Sequence, residues 1–452
     1  MSEKIIVVGA NHAGTACIKQ ILSLNPEAEV VVYDKNSNIS FLGCGMAIWI
    51  GNQITTGDGL FYASKETLEA RGAKVIMETE ITSVDYKNKT ITFRDKDGEE
   101  GTDCYDKLVL ATGSSPIWPP VPGIDLPNIQ RAKIYQDAVK AIDQIRNDPS
   151  IRKVTVIGAG YIGAELAEAY TLQGREVTLI DALDRILGTH FDRDFSEIMA
   201  QRLREKGIRI RLGERAERFE GSTRVEKVIT DKGEYETDLV MFCIGFRPNS
   251  QLGGDHLKRF RNGAFEVNLR QQTSDPDVYA IGDCATVFDN SIGQTSYIAL
   301  ATNAVRSGLV AAFNICGLDS ESLGVQGSSA LSLFGLKMVC TGQTVETAAQ
   351  AGIEALATDF TDLQKPAFMT EAAVNPEVKI RIVYRRDNHV VIGAQLLSEY
   401  DMSAAIHMFS LAIQEQVTLE RLALLDIFFM PHFNQPYNYI TMAALQGVLR
   451  QD

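Results

Sequence analysis

A cysteine between two glycines is the residue of this chain best suited to chemistry. Cys44 lies between Gly43 and Gly45, in backbone with little side-chain cover, so its sulfur is expected to be accessible. The apolar segment 46–50 predicts a short helix that begins at the cysteine. Because a helix N-terminus favours thiolate over thiol, we expect a lowered pKa for Cys44. Taken alone, the residue would favour the commoner interpretation, a small buried hydrophobic side chain.

Length and composition describe an ordinary globular protein of several domains. The chain has 452 residues, 45% of them hydrophobic and 23% charged, and the usual domain size predicts roughly three domains. We find no apolar run near the roughly 18 residues that span a bilayer, and no cleavage pattern of a signal peptide. We therefore expect a cytoplasmic protein without a membrane partner.

The cysteine pattern and the net charge argue against several further classes of protein. The seven cysteines are an odd number, widely scattered and without a CxxC pair, which indicates neither a disulfide framework nor a zinc site. We expect no metal. The net charge of −14 argues against a nucleic-acid or anionic-membrane surface. Anionic ligands must then be held by backbone amides and helix ends.

The first section has the pattern of a dinucleotide fold. Gly9 permits a tight turn, and Gly14 permits the helix to pack closely on the strand. Asp34 would accept a hydrogen bond from a ribose hydroxyl. Asn11 replaces the middle glycine of the usual fingerprint. The predicted elements are an apolar strand, a glycine turn, a helix and a second strand ending in the acid: 5–8, 9–14, 15–24 and 30–34.

A second, complete copy of this pattern strengthens the prediction of a dinucleotide fold. Strand 154–157 leads into an intact GxGxxG at 158–163, then a helix, then strand 177–180 and Asp181. Two such units imply two dinucleotides. Each section closes with an apolar strand that ends in a glycine, Gly113 in the first and Gly245 in the second.

The remaining sequence adds a linker and a third closing strand. Prolines at 116, 119, 120 and 122 mark the linker after the first section. Strand 278–281 ends in Gly282-Asp283, and 297–304 reads as a helix. After about residue 323, strands 379–384 and 390–394 precede a helix over 403–416.

This arrangement resembles, over the whole chain, the FAD-dependent pyridine nucleotide-disulfide oxidoreductases of glutathione-reductase fold. The resemblance implies an α/β fold with two Rossmann-like dinucleotide-binding domains and a C-terminal α+β dimerisation domain. It implies FAD and NADH as cofactors and a homodimer. The implied boundaries are a FAD domain in two parts, 1–118 and 246–322, an NADH domain at 119–245 and the interface domain at 323–452.

The resemblance also implies the binding residues, with Asp283 on the ribityl chain of FAD. Those for FAD are Gly9, Asn11, His12, Ala13, Gly14, Asp34, Cys44, Ala111, Thr112, Gly113, Ser114, Lys133, Asp283, Ala299, Leu300 and Ala301. Those for NADH are Gly158, Gly160, Tyr161, Ile162, Gly163, Glu165, Asp181 and Gly245.

Four of the residues on the NADH side have specific expectations. Tyr161 resembles the aromatic residue that covers the flavin until nicotinamide displaces it, although it could simply pack on its helix. Glu165 would meet the nicotinamide carboxamide or lysines of the FAD site. Asp181 should bind the adenosine ribose of NADH and repel a 2′-phosphate, while Arg185 lies near enough to weaken that preference slightly.

The surroundings of Cys44 resemble the single-cysteine branch of this family. The disulfide reductases carry a second cysteine five residues later, but Trp49 stands there, so a local dithiol cycle is excluded. The stretches NHAGTA, SFLGCGMA, GAGYIGAELAEAY and PHFNQPYNY are most similar to the water-forming NADH oxidases of the branch. Coenzyme A disulfide reductases usually have Asn where Gly43 stands. The resemblance implies reduction of O2 to water through a Cys44 thiolate and sulfenic acid.

His12 is the second candidate catalytic residue. It lies in the first βα loop, and Cys44 follows the next strand, so both loops open at one edge of the sheet. There the histidine could act as general acid or base toward peroxide, or merely lie near phosphate. His432 could approach the partner's active site, with packing as the open alternative.

Other functions remain open at the level of motifs. An NADH peroxidase shares nearly every motif and differs in whether reduced flavin reaches O2. An electron-transfer flavoprotein reductase would not need Cys44, and it would carry a basic docking face that a net charge of −14 does not suggest.

Overall fold

The computed structural model describes residues 3–369 and 375–450. The helices of the first section are α1 (His12–Leu24), α2 (Met46–Ile50) and α3 (Lys65–Glu69). Its strands are β1 (Lys4–Val8), β2 (Glu29–Tyr33), β3 (Lys74–Ile76), β4 (Glu80–Asp85), β5 (Thr90–Arg94), β6 (Glu100–Cys104), β7 (Lys107–Leu110) and β8 (Ser114–Pro116).

The second section repeats the alternation of strand and helix. Its helices are α4 (Tyr135–Asn147), α5 (Tyr161–Leu172) and α6 (Arg193–Glu205). Its strands are β9 (Ile129–Arg131), β10 (Lys153–Ile157), β11 (Glu176–Asp181), β12 (Arg209–Leu212), β13 (Ala216–Glu220), β14 (Lys227–Thr230), β15 (Glu234–Glu236) and β16 (Leu239–Phe242).

The rest of the chain completes the first section and adds a C-terminal layer. The strands are β17 (Phe246–Pro248), β18 (Val278–Ala280), β19 (Val287–Asp289), β20 (Gln294–Ser296), β21 (Ser329–Leu333), β22 (Leu336–Gly342), β23 (Ala355–Leu363), β24 (Glu377–Arg385) and β25 (Val391–Ser398). The helices are α7 (Ala301–Ile315), α8 (Val345–Gln350), α9 (Ala405–Gln414), α10 (Leu419–Ala423) and α11 (Tyr439–Val448).

Two parallel sheets of the same design hold the dinucleotide loops. The first has the strand order β18-β7-β1-β2-β3 and the second the order β12-β11-β10-β16-β9. Their central strands, β1 and β10, are buried at four of five positions, as expected of parallel strands covered on both faces. The predicted fold class is confirmed, and β18 joins the first sheet from beyond the whole second section.

The C-terminal sheet is antiparallel, with the order β21-β22-β25-β24-β23. All eight residues of β25 are buried, because helices α9 and α11 pack on this sheet and the second section lies against it. The strands predicted at 379–384 and 390–394 and the helix at 403–416 are confirmed with small shifts in their ends.

Two local predictions are wrong. Residues 297–304 were expected to be helical throughout, but β20 ends at Ser296 and α7 begins only at Ala301. The hydroxyl of Tyr297 donates to the carbonyl oxygen of Asp283, 2.9 Å away, and Leu300 just before α7 has an extended backbone (φ −132°, ψ 142°). Cys44 does not begin helix α2 either; it lies in a 3₁₀ turn, Gly43–Gly45, just before it.

Within residues 3–369 and 375–450, we find no helix that is both long enough and apolar enough to cross a membrane.

Candidate active site

The first glycine of each dinucleotide loop is required by its backbone. Gly9 has φ +97°, and a Cβ added there would lie 2.4 Å from the carbonyl oxygen of Ala111. Gly158 has φ +101°, and its Cβ would lie 2.3 Å from the carbonyl oxygen of Cys243. Only glycine tolerates both the conformation and the approach. Each loop is therefore held against the end of the strand that closes its section.

The two acids at the ends of β2 and β11 have the same arrangement. The amide of Ala10 donates to Oδ2 of Asp34 at 2.8 Å, and the amide of Ala159 donates to Oδ2 of Asp181 at 2.5 Å. The other carboxylate oxygen of Asp181 accepts from the amide of Leu183 at 2.7 Å. Each acid is thus fixed beside its glycine loop, where a ribose hydroxyl can reach it.

The two loops fit dinucleotides on steric grounds as well. Helices α1 and α5 begin directly at the loops, at His12 and Tyr161, so their free N–H groups face the site of a pyrophosphate. A Cβ added at Gly160 would meet nothing within 4 Å, which leaves room for a ligand at the backbone. Asn11 takes the place of this glycine in the first loop and forms the N-cap of α1.

Cys44 is accessible, but its pKa shifts against our expectation. The side chain is exposed, yet the protein atoms around the sulfur desolvate the thiolate and raise the pKa of Cys44, and the charge of Glu165 raises it further. Lys133 and the local backbone act in the opposite direction with smaller effect. The predicted lowering is therefore wrong: α2 has only five residues, and desolvation by the protein atoms around the sulfur outweighs the effect of its N-terminus.

Residues from three parts of the chain form a polar cluster beside Cys44. The ammonium of Lys133 lies 3.0 Å from Oδ2 of Asp283 and 3.1 Å from the hydroxyl of Ser114. Ser114 donates to the same Asp283 oxygen at 2.8 Å. The ammonium also lies 4.2 Å from the ring centre of Phe246. The lysine of the site therefore has its position fixed by an ion pair and an aromatic face.

His12 lies in the same electrostatic environment. Burial is the main cause that lowers its pKa; Asp283 raises it and Lys133 lowers it. The imidazole is therefore neutral at neutral pH. Its Nδ1 lies 2.9 Å from the hydroxyl of Tyr62. The structure thus brings His12 close to the charges that also act on Cys44.

Glu165 approaches the site from the second section. Burial, and then the charge of Glu168, raise the pKa of Glu165 to about 7. Helix α5, which carries Glu165, packs against α2 next to Cys44, and the charge of this carboxyl acts on the thiol. A carboxyl that titrates near neutral pH can donate a hydrogen bond when protonated and accept one when ionised. This suits contact with a carboxamide, one of the two partners expected from the sequence; the other was a lysine of the FAD site.

The other residues predicted to bind cofactors lie at the ends of strands or at the starts of helices. Ala111, Thr112 and Gly113 follow β7, and the Thr112 hydroxyl donates to the carbonyl oxygen of Asn249 at 2.5 Å. Ala299 and Leu300 precede α7, which begins at Ala301. Ala13, Gly14, Ile162 and Gly163 lie in the first turns of α1 and α5, and Gly245 has φ +106° after β16.

Arg185 and His432 are the two other residues for which the sequence raised an expectation. The guanidinium of Arg185 pairs with the carboxylate of Glu346 and donates to the carbonyl oxygen of Gly188 at 3.1 Å, so it is occupied away from Asp181. His432 is exposed within the C-terminal segment 424–437. Its place beside a partner's active site stays a prediction.

Sequence reasoning missed the partners of the site residues. Tyr62 beside His12, Phe246 beside Lys133 and Ser329 beside Tyr161 come from distant parts of the chain. Each of these contacts joins residues far apart in sequence, so no local spacing indicates it, even though Phe246 directly follows Gly245.

The two dinucleotide loops and the accessible cysteine are the features of a nucleotide-dependent oxidoreductase. The family model described as pyridine nucleotide-disulphide oxidoreductase matches residues 3–308, and its dimerisation domain matches residues 329–438. The chain belongs to this family.

Named relatives share almost the full length of the chain. An NADH oxidase of Streptococcus pyogenes is 54% identical, with 98% of this chain and 99% of the relative covered. An NADH oxidase of Lactococcus lactis is 49% identical, with 98% and 100% covered. Among solved structures, a water-forming NADH oxidase from Lactobacillus brevis bound to NADH has a TM-score of 0.96 at 41% identity, with 99% of this chain and 98% of that chain covered.

Proposed function

We propose that this protein is an FAD-dependent NADH oxidase that reduces O2 to water, with Cys44 completing the reduction. The observation that carries the proposal is an accessible Cys44 beside the Lys133–Asp283 pair, with buried Trp49 where a resolving cysteine would stand. The relatives named above, over the full length of the chain, support the same activity.

The chemistry divides between the cofactor and the cysteine. FAD, when bound, accepts hydride from NADH and passes electron pairs to O2, which gives hydrogen peroxide, or to an oxidised Cys44. The sulfur of Cys44 attacks one peroxide oxygen, the O–O bond breaks, and Cys–SOH and water form. Two electrons from a second NADH, with two protons, return Cys–SOH to the thiol and release the second water.

The raised pKa of Cys44 assigns a task to His12. Since the thiol is largely protonated at neutral pH, attack on peroxide requires a base. The neutral imidazole of His12 can take the thiol proton and then give it to the leaving hydroxide. The Lys133–Asp283 pair fixes the charge next to both groups.

The test separates the two stages by stoichiometry. In the wild type we expect one O2 consumed for two NADH. In Cys44→Ser, hydroxyl attack on peroxide is far slower, so we expect hydrogen peroxide to accumulate and the ratio to move toward one O2 for one NADH. Cys104→Ser, which changes a second exposed cysteine, should leave the ratio unchanged.

Each other outcome has a definite meaning. A Cys44→Ser protein that still makes only water would refute the cysteine cycle. A wild type that oxidises NADH only after hydrogen peroxide is added would be an NADH peroxidase instead.

We further propose that the protein works as a homodimer. The dimerisation-domain match covers residues 329–438, and an apolar surface lies near its end. We call this the C-terminal patch; its exposed members are Leu424, Leu425, Phe428, Phe429, Met430, Phe433 and Tyr437. Several large exposed apolar side chains within one short segment favour an association surface. The cytoplasmic location stays a prediction.

A further inference from the structure

The loop that begins at Asp181 is held by the turn between β12 and β13. The amide of Glu214 donates to the carbonyl oxygen of Asp181 at 2.9 Å, and the amide of Gly213 donates to the carbonyl oxygen of Leu183 at 2.7 Å. The amide of Leu183 in turn donates to the Asp181 carboxylate. Leu183 is 53% exposed, so its side chain gives the loop little packing support. The position of the carboxylate therefore depends on the turn.

The side chain of Glu214 ties this turn to a neighbouring hairpin. It is buried, and its Oε2 accepts from the hydroxyl of Tyr235 at 2.7 Å and from that of Thr230 at 3.0 Å. The two donors lie on the paired strands β15 and β14. The Thr230 hydroxyl is also 3.1 Å from the carbonyl oxygen of Gly233, so its proton is shared and Tyr235 is the stronger partner.

Tyr235 is itself fixed as a hydrogen-bond donor. Burial, and then the hydrogen bond to Glu214 and the charge of Glu214, raise the pKa of Tyr235 to about 12. The phenol therefore stays protonated at neutral pH and donates to the carboxyl oxygen. The guanidinium of Arg211 lies 5.7 Å from the centre of the Tyr235 ring. Without the Glu214 side chain, the turn would lose its connection to this tyrosine.

We propose that Glu214 is a positioning residue for the adenosine end of NADH, which strengthens the preference over NADPH by holding Asp181 in place. The proposal rests on the NADH site proposed above. A carboxylate that cannot move accepts from the ribose hydroxyls and also faces any 2′-phosphate. If the turn is released, only a fraction of the protein presents the carboxylate to the ribose, and the apparent affinity falls by that fraction. The repulsion of a 2′-phosphate falls as well.

The test compares two ligands that differ only in the 2′-phosphate. ADP-ribose and 2′-phospho-ADP-ribose are titrated into the holoenzyme by calorimetry. Glu214→Ala should raise the Kd of ADP-ribose about two- to tenfold, the value of one net hydrogen bond. The Kd of the phosphorylated ligand should not rise, so the ratio of the two Kd values should fall by at least the same factor.

Two variants serve as controls for this comparison. Glu214→Gln keeps an oxygen that can accept from both hydroxyls, so it should bind both ligands like the wild type. Glu217→Ala removes an exposed carboxylate three residues further along, and it should change neither Kd. In turnover, Glu214→Ala should raise KM for NADH and leave kcat unchanged, because the adenosine end takes no part in hydride transfer.

A double-mutant cycle identifies Asp181 as the group through which Glu214 acts. In an Asp181→Ala background, Glu214→Ala should no longer change the Kd of ADP-ribose. Tyr235→Phe should reproduce part of the effect in the wild type and add nothing to Glu214→Ala. It also supplies the same comparison of ligands if Glu214→Ala is too unstable to purify.

Three results would overturn the proposal. These are an unchanged ratio of the two Kd values in Glu214→Ala, an effect that persists without the Asp181 carboxylate, or a loss confined to the free energy of unfolding. Failure of the NADH site itself would differ, because Asp181→Ala alone would then leave the Kd of ADP-ribose unchanged.

Discussion

Replacing Asp181 by alanine should weaken the discrimination between NADH and NADPH. The carboxylate is fixed by the amides of Ala159 and Leu183 at 2.5 and 2.7 Å, so it cannot turn away from a 2′-phosphate. At about 4 Å, each unit of phosphate charge then costs about 1 to 4 kcal/mol, for effective dielectric constants between those of water and a protein surface. This corresponds to about a fivefold to several-hundredfold preference in kcat/KM.

The substitution acts on both cofactors. NADH loses a charged hydrogen bond of about 1.5 to 3 kcal/mol, so its kcat/KM should fall at least tenfold. NADPH gains, because the two backbone amides freed from Asp181 become donors for an anion. The NADPH/NADH ratio of kcat/KM should therefore rise by at least tenfold, measured as initial rates with each cofactor under air.

Arg185 allows a sharper version of the same experiment. Its guanidinium is bound by Glu346, so it should contribute little to the single variant. Adding Glu346→Gln to Asp181→Ala should release Arg185 and raise the rate with NADPH further. Asp184→Ala removes a neighbouring exposed carboxylate that pairs with Arg193, and it should leave the ratio unchanged. An unchanged ratio in Asp181→Ala would refute the reasoning.

Three further changes test other parts of the structure. Gly9→Ala places a Cβ 2.4 Å from the Ala111 carbonyl oxygen at φ +97°; it should lower the free energy of unfolding by at least about 2 kcal/mol in urea titration, and purified protein of normal stability would contradict this. The raised pKa of Glu165, about 7 against 4.5, means that the native state binds more protons, so stability should fall as pH rises between these values; Glu165→Gln should flatten that slope, and an unaltered slope would count against it. Leu424→Glu, at a side chain 87% exposed, should produce monomers in sedimentation velocity, whereas Leu323→Glu, 73% exposed outside the C-terminal patch, should not.

The parts of the fold that depend on residues close together in sequence could be predicted from the sequence. The glycine turns at Gly9 and Gly158 and the acids Asp34 and Asp181 follow from strands, turns and helices that are contiguous in sequence. Their spacing therefore located both dinucleotide loops. The closing strand that ends before Gly282 was found in the same way.

Tertiary contacts decided the features that the sequence did not predict. The pKa of Cys44 depends on burial and on Glu165, which comes from another section of the chain, so a local argument from α2 gave the wrong sign. Tyr297 lies before α7 and donates a hydrogen bond to the backbone of Asp283. The partners of Tyr161 lie on two strands of the C-terminal sheet, and no spacing near the glycine loop indicates them.

The pairing of β18 with the first sheet has a consequence for folding during synthesis on the ribosome. The second sheet is built from Ile129–Arg131 through Leu239–Phe242 without interruption, whereas the first must wait for Val278–Ala280. Since a chain emerges from its N-terminus and domains fold as units, the later section in sequence can close first. The earlier section meanwhile exposes the unpaired edge of β7, and Asp283 arrives only with the last strand. The nascent chain can therefore complete its second nucleotide fold before its first.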